Sequence, residues 1–173
     1  GLKPDNWGAR ARIGLFIVGS EAVPEAEWWA MLPPGVSCHA ARVTARAPWA
    51  AWRPNGEGVA LADDVARGCR QFAAMRLDAV TIAHTSSSVI GGQGWDAATI
   101  AEMRVLLGEG VAITTNGQDT LAALKAVGAT APFLVAPAWF DAGAVEAAVA
   151  YYTAHDLPPV GTATTASGSV WVP

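Results

Sequence analysis

Residues 78–94 read DAVTIAHTSSSVIGGQG. The first six, 78–83, are a short apolar run with β-branched residues, which reads as a strand buried on both faces of a sheet. The polar tract His84-Thr85-Ser86-Ser87-Ser88 and the glycines Gly91, Gly92 and Gly94 then read as a loop. Asp96 stands where it can cap a helix running through Leu107, ended by Gly108 and Gly110. A strand that feeds a loop and then a helix is a βα unit, and a chain of such units folds as a sheet flanked by helices.

The same rhythm recurs on both sides. Upstream, 13–18 (IGLFIV) is a buried strand, Pro24 opens a short helix with acidic residues in its first turn, and Pro33-Pro34 stops it. Residues 36–43 (VSCHAARV) are a second strand, and 44–57, with two Pro, two Trp and a Gly, have no steady period and read as a loop. Val59, Ala62, Val65, Ala66, Cys69, Phe72 and Ala73 fall at helical spacing, with charges elsewhere. Downstream, strands are expected at 111–114 and 133–136. A helix over 116–127 turns Leu121, Leu124 and Val127 inward, and one capped by Asp141 runs to about His155 with Val145, Ala148, Val149 and Tyr152 inward. The fold class is α/β with a mostly parallel sheet and flanking helices. After Leu157 the pattern fails, so the tail is either an ordered edge segment or a domain that stops midway.

Composition narrows the function classes. With 173 residues, 52% hydrophobic and 15% charged, the chain carries enough apolar surface to fold and too little charge for disorder. A net charge of −4 and no run of Lys or Arg argue against a nucleic-acid partner. Apolar stretches such as 131–140 are short and broken by Pro, and residues 1–6 show no secretory signal, so a cytoplasmic protein with no membrane partner is expected. Cys38 and Cys69 are too few for a disulfide framework and read as buried thiols, and His39, His84 and His155 form no metal-ligand pair.

In open parallel sheets, ligands bind outside the carboxyl ends of the strands. The loops to watch are Gly19-Ser20-Glu21, 84–88, Thr115-Asn116 and Pro137-Ala138-Trp139. They are rich in hydroxyls and poor in cations, which suits a small anion held by O–H and N–H donors and requires no cofactor. The Ser/Thr tract can equally be a turn whose hydroxyls satisfy backbone groups.

Several ordered fragments resemble the aspartate/glutamate racemase superfamily in its maleate isomerase and arylmalonate decarboxylase branch. They are Arg12-Ile13-Gly14-Leu15-Phe16-Ile17, Glu25-x-Glu27, Leu32-Pro33-x-Gly35-Val36 with His39-x-x-Arg42, His84-Thr85-Ser86-x-Ser88 with Gly91-Gly92, Leu121-x-x-Leu124-x-x-x-Gly128, and Pro137-x-Trp139. The resemblance implies a flavodoxin-like lobe over 1–112, part of a second similar lobe over 113–173, and a pocket between them. It also implies a cofactor-independent isomerase or decarboxylase that acts beside a carboxylate of a small dicarboxylic acid. On that pattern His84 stands where two-cysteine members carry their first cysteine and serves as the catalytic residue. Ser20, Thr85, Ser86, Thr115, Asn116 and Trp139 bind substrate, Trp139 at a position where a tyrosine is common. The second cysteine of the pattern lies past this chain's end, and neither Cys38 nor Cys69 matches a catalytic position. With an ordinary pKa of about 6.5, His84 is expected to donate a proton near neutrality. The alternatives are a non-catalytic dicarboxylate-binding relative that has lost the paired cysteines, and a homo-oligomer formed through the unfinished lobe. Glu21 reads as a solvated loop residue, because a carboxylate facing such a substrate would repel it.

Overall fold

The computed structural model describes residues 7–165. Four strands make the main sheet, β1 (Ala11–Val18), β2 (Val36–Val43), β5 (Ala79–Ile82) and β6 (Ala112–Thr115), all parallel in the order β2-β1-β5-β6. The register sets Phe16 beside Ile82 and Val18 beside Val43. Leu15, Phe16 and Ile17 of β1 are fully buried in succession, as expected of a strand covered on both faces. Each such burial contributes about 1.5–3 kcal/mol.

Helices α1 (Val23–Met31), α2 (Asp63–Ala74), α4 (Trp95–Leu107) and α5 (Asn116–Ala126) follow β1, the β2 branch, β5 and β6 in chain order. α2 lays Val65, Cys69 and Phe72 into a core with Phe16, Val80, Trp95 and Met103. A second, smaller sheet holds β7 (Phe133–Ala136) and β8 (Gly161–Thr164), parallel and joined by α6 (Ala142–Ala154). Its own core is Val89, Leu121, Ala148, Tyr151, Tyr152 and Leu157. Within the tail, 161–164 are an ordered strand on β7, and 166–173 lie outside the described residues. β6 spans the 112/113 division and is hydrogen-bonded to β5.

Four sequence expectations are corrected. Val59 is not the first residue of a helix. It lies in β4 (Val59–Leu61), which pairs antiparallel with β3 (Ala50–Trp52) inside the segment expected to be a loop, and α2 starts only at Asp63. Val59 is buried either way, which is why its apolar character fitted the helical stripe. The hydroxyl tract is not a loop but α3 (Thr85–Gly91), with Ser87 and Ser88 fully buried and Ser86 nearly so. Asp96 does not cap α4. The cap position is Gly94, left-handed at φ 82°, and Asp96 is buried. Val127 does not point inward but is 79% exposed, one residue past the end of α5. Asp141, by contrast, does cap α6, accepting the Ala144 N–H at 2.8 Å.

Candidate functional site

Strand order reverses direction between β1 and β5, and this switch point opens a crevice at their carboxyl ends. The β1–α1 loop carries Gly19, Ser20 and Glu21 to one side, and the end of β5 carries His84 and α3 to the other. An open cleft of about 750 Å³ runs between that first loop and the loop after β7, lined by Ser20, Glu21, Glu27 and Trp139 among others. Trp139 is 72% exposed and packs edge-on against Phe140 at 4.7 Å. Ser20 and Trp139, far apart in sequence, are therefore brought to one cavity.

Arg42 anchors the first wall. Its guanidinium donates to the Glu21 carbonyl at 2.6 Å and pairs with the Glu25 carboxylate at 2.6 Å. A bidentate cation at this point fixes the loop's backbone while its charge is spent on Glu25. Glu21 and Glu27 thus leave the cleft with a carboxylate on each of two turns of chain, and Glu21 lines the cavity as well as reaching solvent.

The hydroxyl tract stands at the end of β5 outside the lining of that cleft, and Thr85 instead lines a smaller cavity of about 130 Å³ with Leu134, Pro137 and Phe140. His84 precedes α3, half-buried, its ring stacked on the Trp49 ring at 4.0 Å and 13°. Its Nδ1 lies 2.8 Å from Ser87 Oγ, and burial pushes its pKa down to about 4. Burial thus disfavours the charged imidazole that donating a proton near neutrality requires. Ser86 is buried as a residue, yet among the described residues its hydroxyl has no hydrogen-bond partner, and it is not one of the polar atoms sealed from solvent. Thr85 donates to Asn116 Oδ1 at 2.7 Å, which binds the start of α3 to the start of α5 and brings these two expected contacts together. Thr115 is fully buried, and its hydroxyl accepts the Gln118 N–H as the cap of α5, so it turns no donor outward.

Both thiols are out of reach of this chemistry. Cys38 is buried under β1 with Leu15 and Ile17, and burial raises its pKa; Cys69 sits in the main core with its pKa pushed up to about 12. Among the described residues no three His, Cys, Asp or Glu side chains lie close enough to hold a metal ion, and no helix is long and apolar enough to cross a membrane.

Behind the tract lies a buried network that the spacing of residues does not announce. Ser88 Oγ–H and Tyr151 O–H both donate to the Asp96 carboxylate at 2.7 Å, and the Gly117 N–H donates to Ser88 Oγ at 3.2 Å. Burial, and then Asp96, push the Tyr151 phenol's pKa upward. These bonds tie α3, α4, α5 and α6 together directly behind the hydroxyls. The partners lie up to 55 positions apart in sequence, so no local pattern could have grouped them.

Comparison with solved structures places this architecture. The chain has the fold of maleate isomerase and arylmalonate decarboxylase. It superimposes on maleate isomerase Iso from Pseudomonas putida S16 with a TM-score of 0.67 and 15% identity, covering 89% of this chain and 63% of that one. A Nocardia farcinica maleate cis-trans isomerase bearing a covalently bound succinylcysteine intermediate gives a TM-score of 0.71 at 21% identity, covering 89% and 63%. Arylmalonate decarboxylase gives 0.68 at 20%, covering 89% and 64%. The chain therefore spans a little under two thirds of the length of these structures. No family model and no curated protein matches it.

Proposed function

We propose that the chain belongs to the aspartate/glutamate racemase superfamily and binds a small dicarboxylic acid in the crevice at the ends of β1 and β5, acting beside one carboxylate without a cofactor. The observation that carries this reading is the free Ser86 hydroxyl beside His84 and Thr85, at the switch point of a fold shared with maleate isomerase and arylmalonate decarboxylase. An O–H donor held by a buried helix is preorganised for an anionic oxygen, and preorganisation is what makes such donors effective. Ser20 and Trp139 line the cleft between the β1–α1 loop and the loop after β7, the indole N–H being the one polar donor Trp139 can offer. Two buried free thiols fit the reducing environment of the cytoplasm.

Isomerisation and decarboxylation are the two reaction types this reading admits. Proton NMR of the chain in D₂O with maleate, an arylmalonate, aspartate and glutamate tests it: alkene isomerisation, loss of a carboxylate or deuterium uptake at the α-carbon identifies reaction and substrate together. Ser86→Ala is expected to slow any such turnover by about 10²-fold. No conversion and no binding of any of the four acids by the folded chain overturns the proposal.

A second reading, a dicarboxylate-binding relative that does not turn its ligand over, is favoured by one observation. Among the described residues both cysteines are buried in cores and neither lines the cleft. Calorimetry showing saturable binding of maleate, with no conversion in the NMR experiment, selects this reading.

A further inference from the structure

We propose that His84 is locked as the neutral tautomer protonated at Nε2 and presents that N–H to a carboxylate oxygen of the ligand, as a hydrogen-bond donor and not as a nucleophile or an acid. The ligand half of this inference rests on the carboxylate-binding reading above; the tautomer half rests on geometry alone.

The chain of donors runs in one direction. The Trp49 backbone N–H can only donate, and it does so to Ser87 Oγ at 2.9 Å. Ser87 is completely buried, and its hydroxyl has one proton to give. Among the described residues the sole acceptor within reach of that proton is His84 Nδ1, 2.8 Å away. An imidazole that accepts at Nδ1 and is neutral carries its proton at Nε2. Among the described residues Nε2 makes no hydrogen bond of its own, and it is not one of the sealed-off polar atoms, so it is open to solvent at the end of β5. Stacking on Trp49 fixes the ring plane.

Three consequences separate this group from the thiol that the sequence resemblance leads one to seek there. The Nδ1 lone pair is occupied, so it cannot attack. The groups packed on the ring, Trp49 and Ser87, do not titrate in the working range, and burial alone disfavours the charged form, so the ring stays neutral through pH 5–8 instead of switching in the middle of it. What remains is a fixed, uncharged N–H two residues from the free Ser86 hydroxyl, two donors at the same strand-to-helix junction. Such a pair recognises an anionic oxygen without the desolvation cost of a buried cation.

The test is long-range proton–nitrogen NMR of the histidine-labelled chain, first without ligand from pH 4 to 8. The expected result is the Nε2–H pattern for His84, unchanged down to about pH 5. An Nδ1–H pattern, or a midpoint near 6.5, overturns the inference whatever the fate of the carboxylate reading. Maleate and phenylmalonate are then added as probes. Binding should shift the His84 Nε2 resonance, and His84→Phe should weaken binding about tenfold while His84→Gln, which keeps an N–H donor, largely preserves it. Binding with equal loss in both variants overturns the donor role alone. An Nε2–H tautomer in a chain that binds neither acid overturns the carboxylate reading and, with it, the role of the N–H.

Discussion

At the scale of single residues, the site is governed by which groups are charged. His84 is a base whose folded-state pKa, about 4, lies below its ordinary value of 6.5. Between those values the unfolded chain binds a proton that the folded chain refuses, so stability is complete above about pH 6.5 and falls as pH drops toward 4. The loss attributable to this one group is up to about 3 kcal/mol. Urea titrations at pH 7 and pH 4.5 should show it, and His84→Gln should remove that part of the difference; an identical pH dependence in the variant counts against a buried neutral imidazole. Glu21 acts in the opposite sense on ligand binding. It lines the cleft with Glu27 and is exposed, so its carboxylate opposes a dianion weakly. Glu21→Gln is expected to tighten maleate binding about two- to fivefold at low salt, an advantage that calorimetry at high salt should erase. The thiols are predicted to be silent: Cys69 is fully buried with its pKa raised to about 12, so a disulfide reagent should label neither it nor Cys38 until the chain is unfolded.

At the scale of elements, what could be seen in the sequence were the units whose own residues set their structure. The run 13–18 is apolar throughout, and 79–83 apolar but for Thr81, because both faces of their strands are covered, and Asp141 caps a helix by a bond to an amide three residues on. What escaped depends on partners remote in sequence. Val59 joins β4 because β3 supplies its ladder, a pairing that outweighs the helical stripe running on through Val65 and Cys69. The hydroxyl tract becomes helical because the groups that satisfy it come from elsewhere: Trp49 for Ser87, Asp96 and Gly117 for Ser88, and Asn116 for Thr85. In isolation four consecutive hydroxyl residues favour a turn by bonding to their own backbone. The candidate site was legible as a set of loops at strand ends, since that follows from a parallel sheet, whereas Thr115 and Ser86, alike on paper, split into a buried cap and a free donor. Gly117 measures how tightly these elements meet. A Cβ there would collide with the Tyr151 hydroxyl and with Ser88. Gly117→Ala should therefore cost about 1–3 kcal/mol by displacing α5 from α3 and α6, read as a lowered Tm. Wild-type stability in the variant would mean that α3, α5 and α6 tolerate a wider spacing.

At the scale of the molecule, two cores of unequal quality share one polar joint. The main sheet is covered on both faces and contributes the buried Leu15, Phe16, Ile17, Val80 and Ile82, whereas β7 and β8 bury no residue completely and leave Phe133 and Val135 more than half exposed. A parallel two-stranded ribbon open on one face holds its hydrogen bonds far less securely than a covered sheet. Its tie to the rest includes the Asp96 carboxylate, which receives Ser88 from α3 and Tyr151 from α6. Because both donors converge on one buried charge, removing either leaves an unmet acceptor, at a cost of about 1–3 kcal/mol. Tyr151→Phe keeps the ring and deletes only the hydroxyl, so its effect should fall on the smaller core. Hydrogen exchange followed by mass spectrometry is expected to show β7 and β8 opening at lower free energy than β1 and β5 in the native chain. The variant should widen that gap, accelerating exchange in α6, β7 and β8 while β1 and β5 keep their protection. Uniform acceleration across both sheets would instead mean that the two cores unfold as a single cooperative unit, with Asp96 stabilising the whole chain and not the joint between its parts.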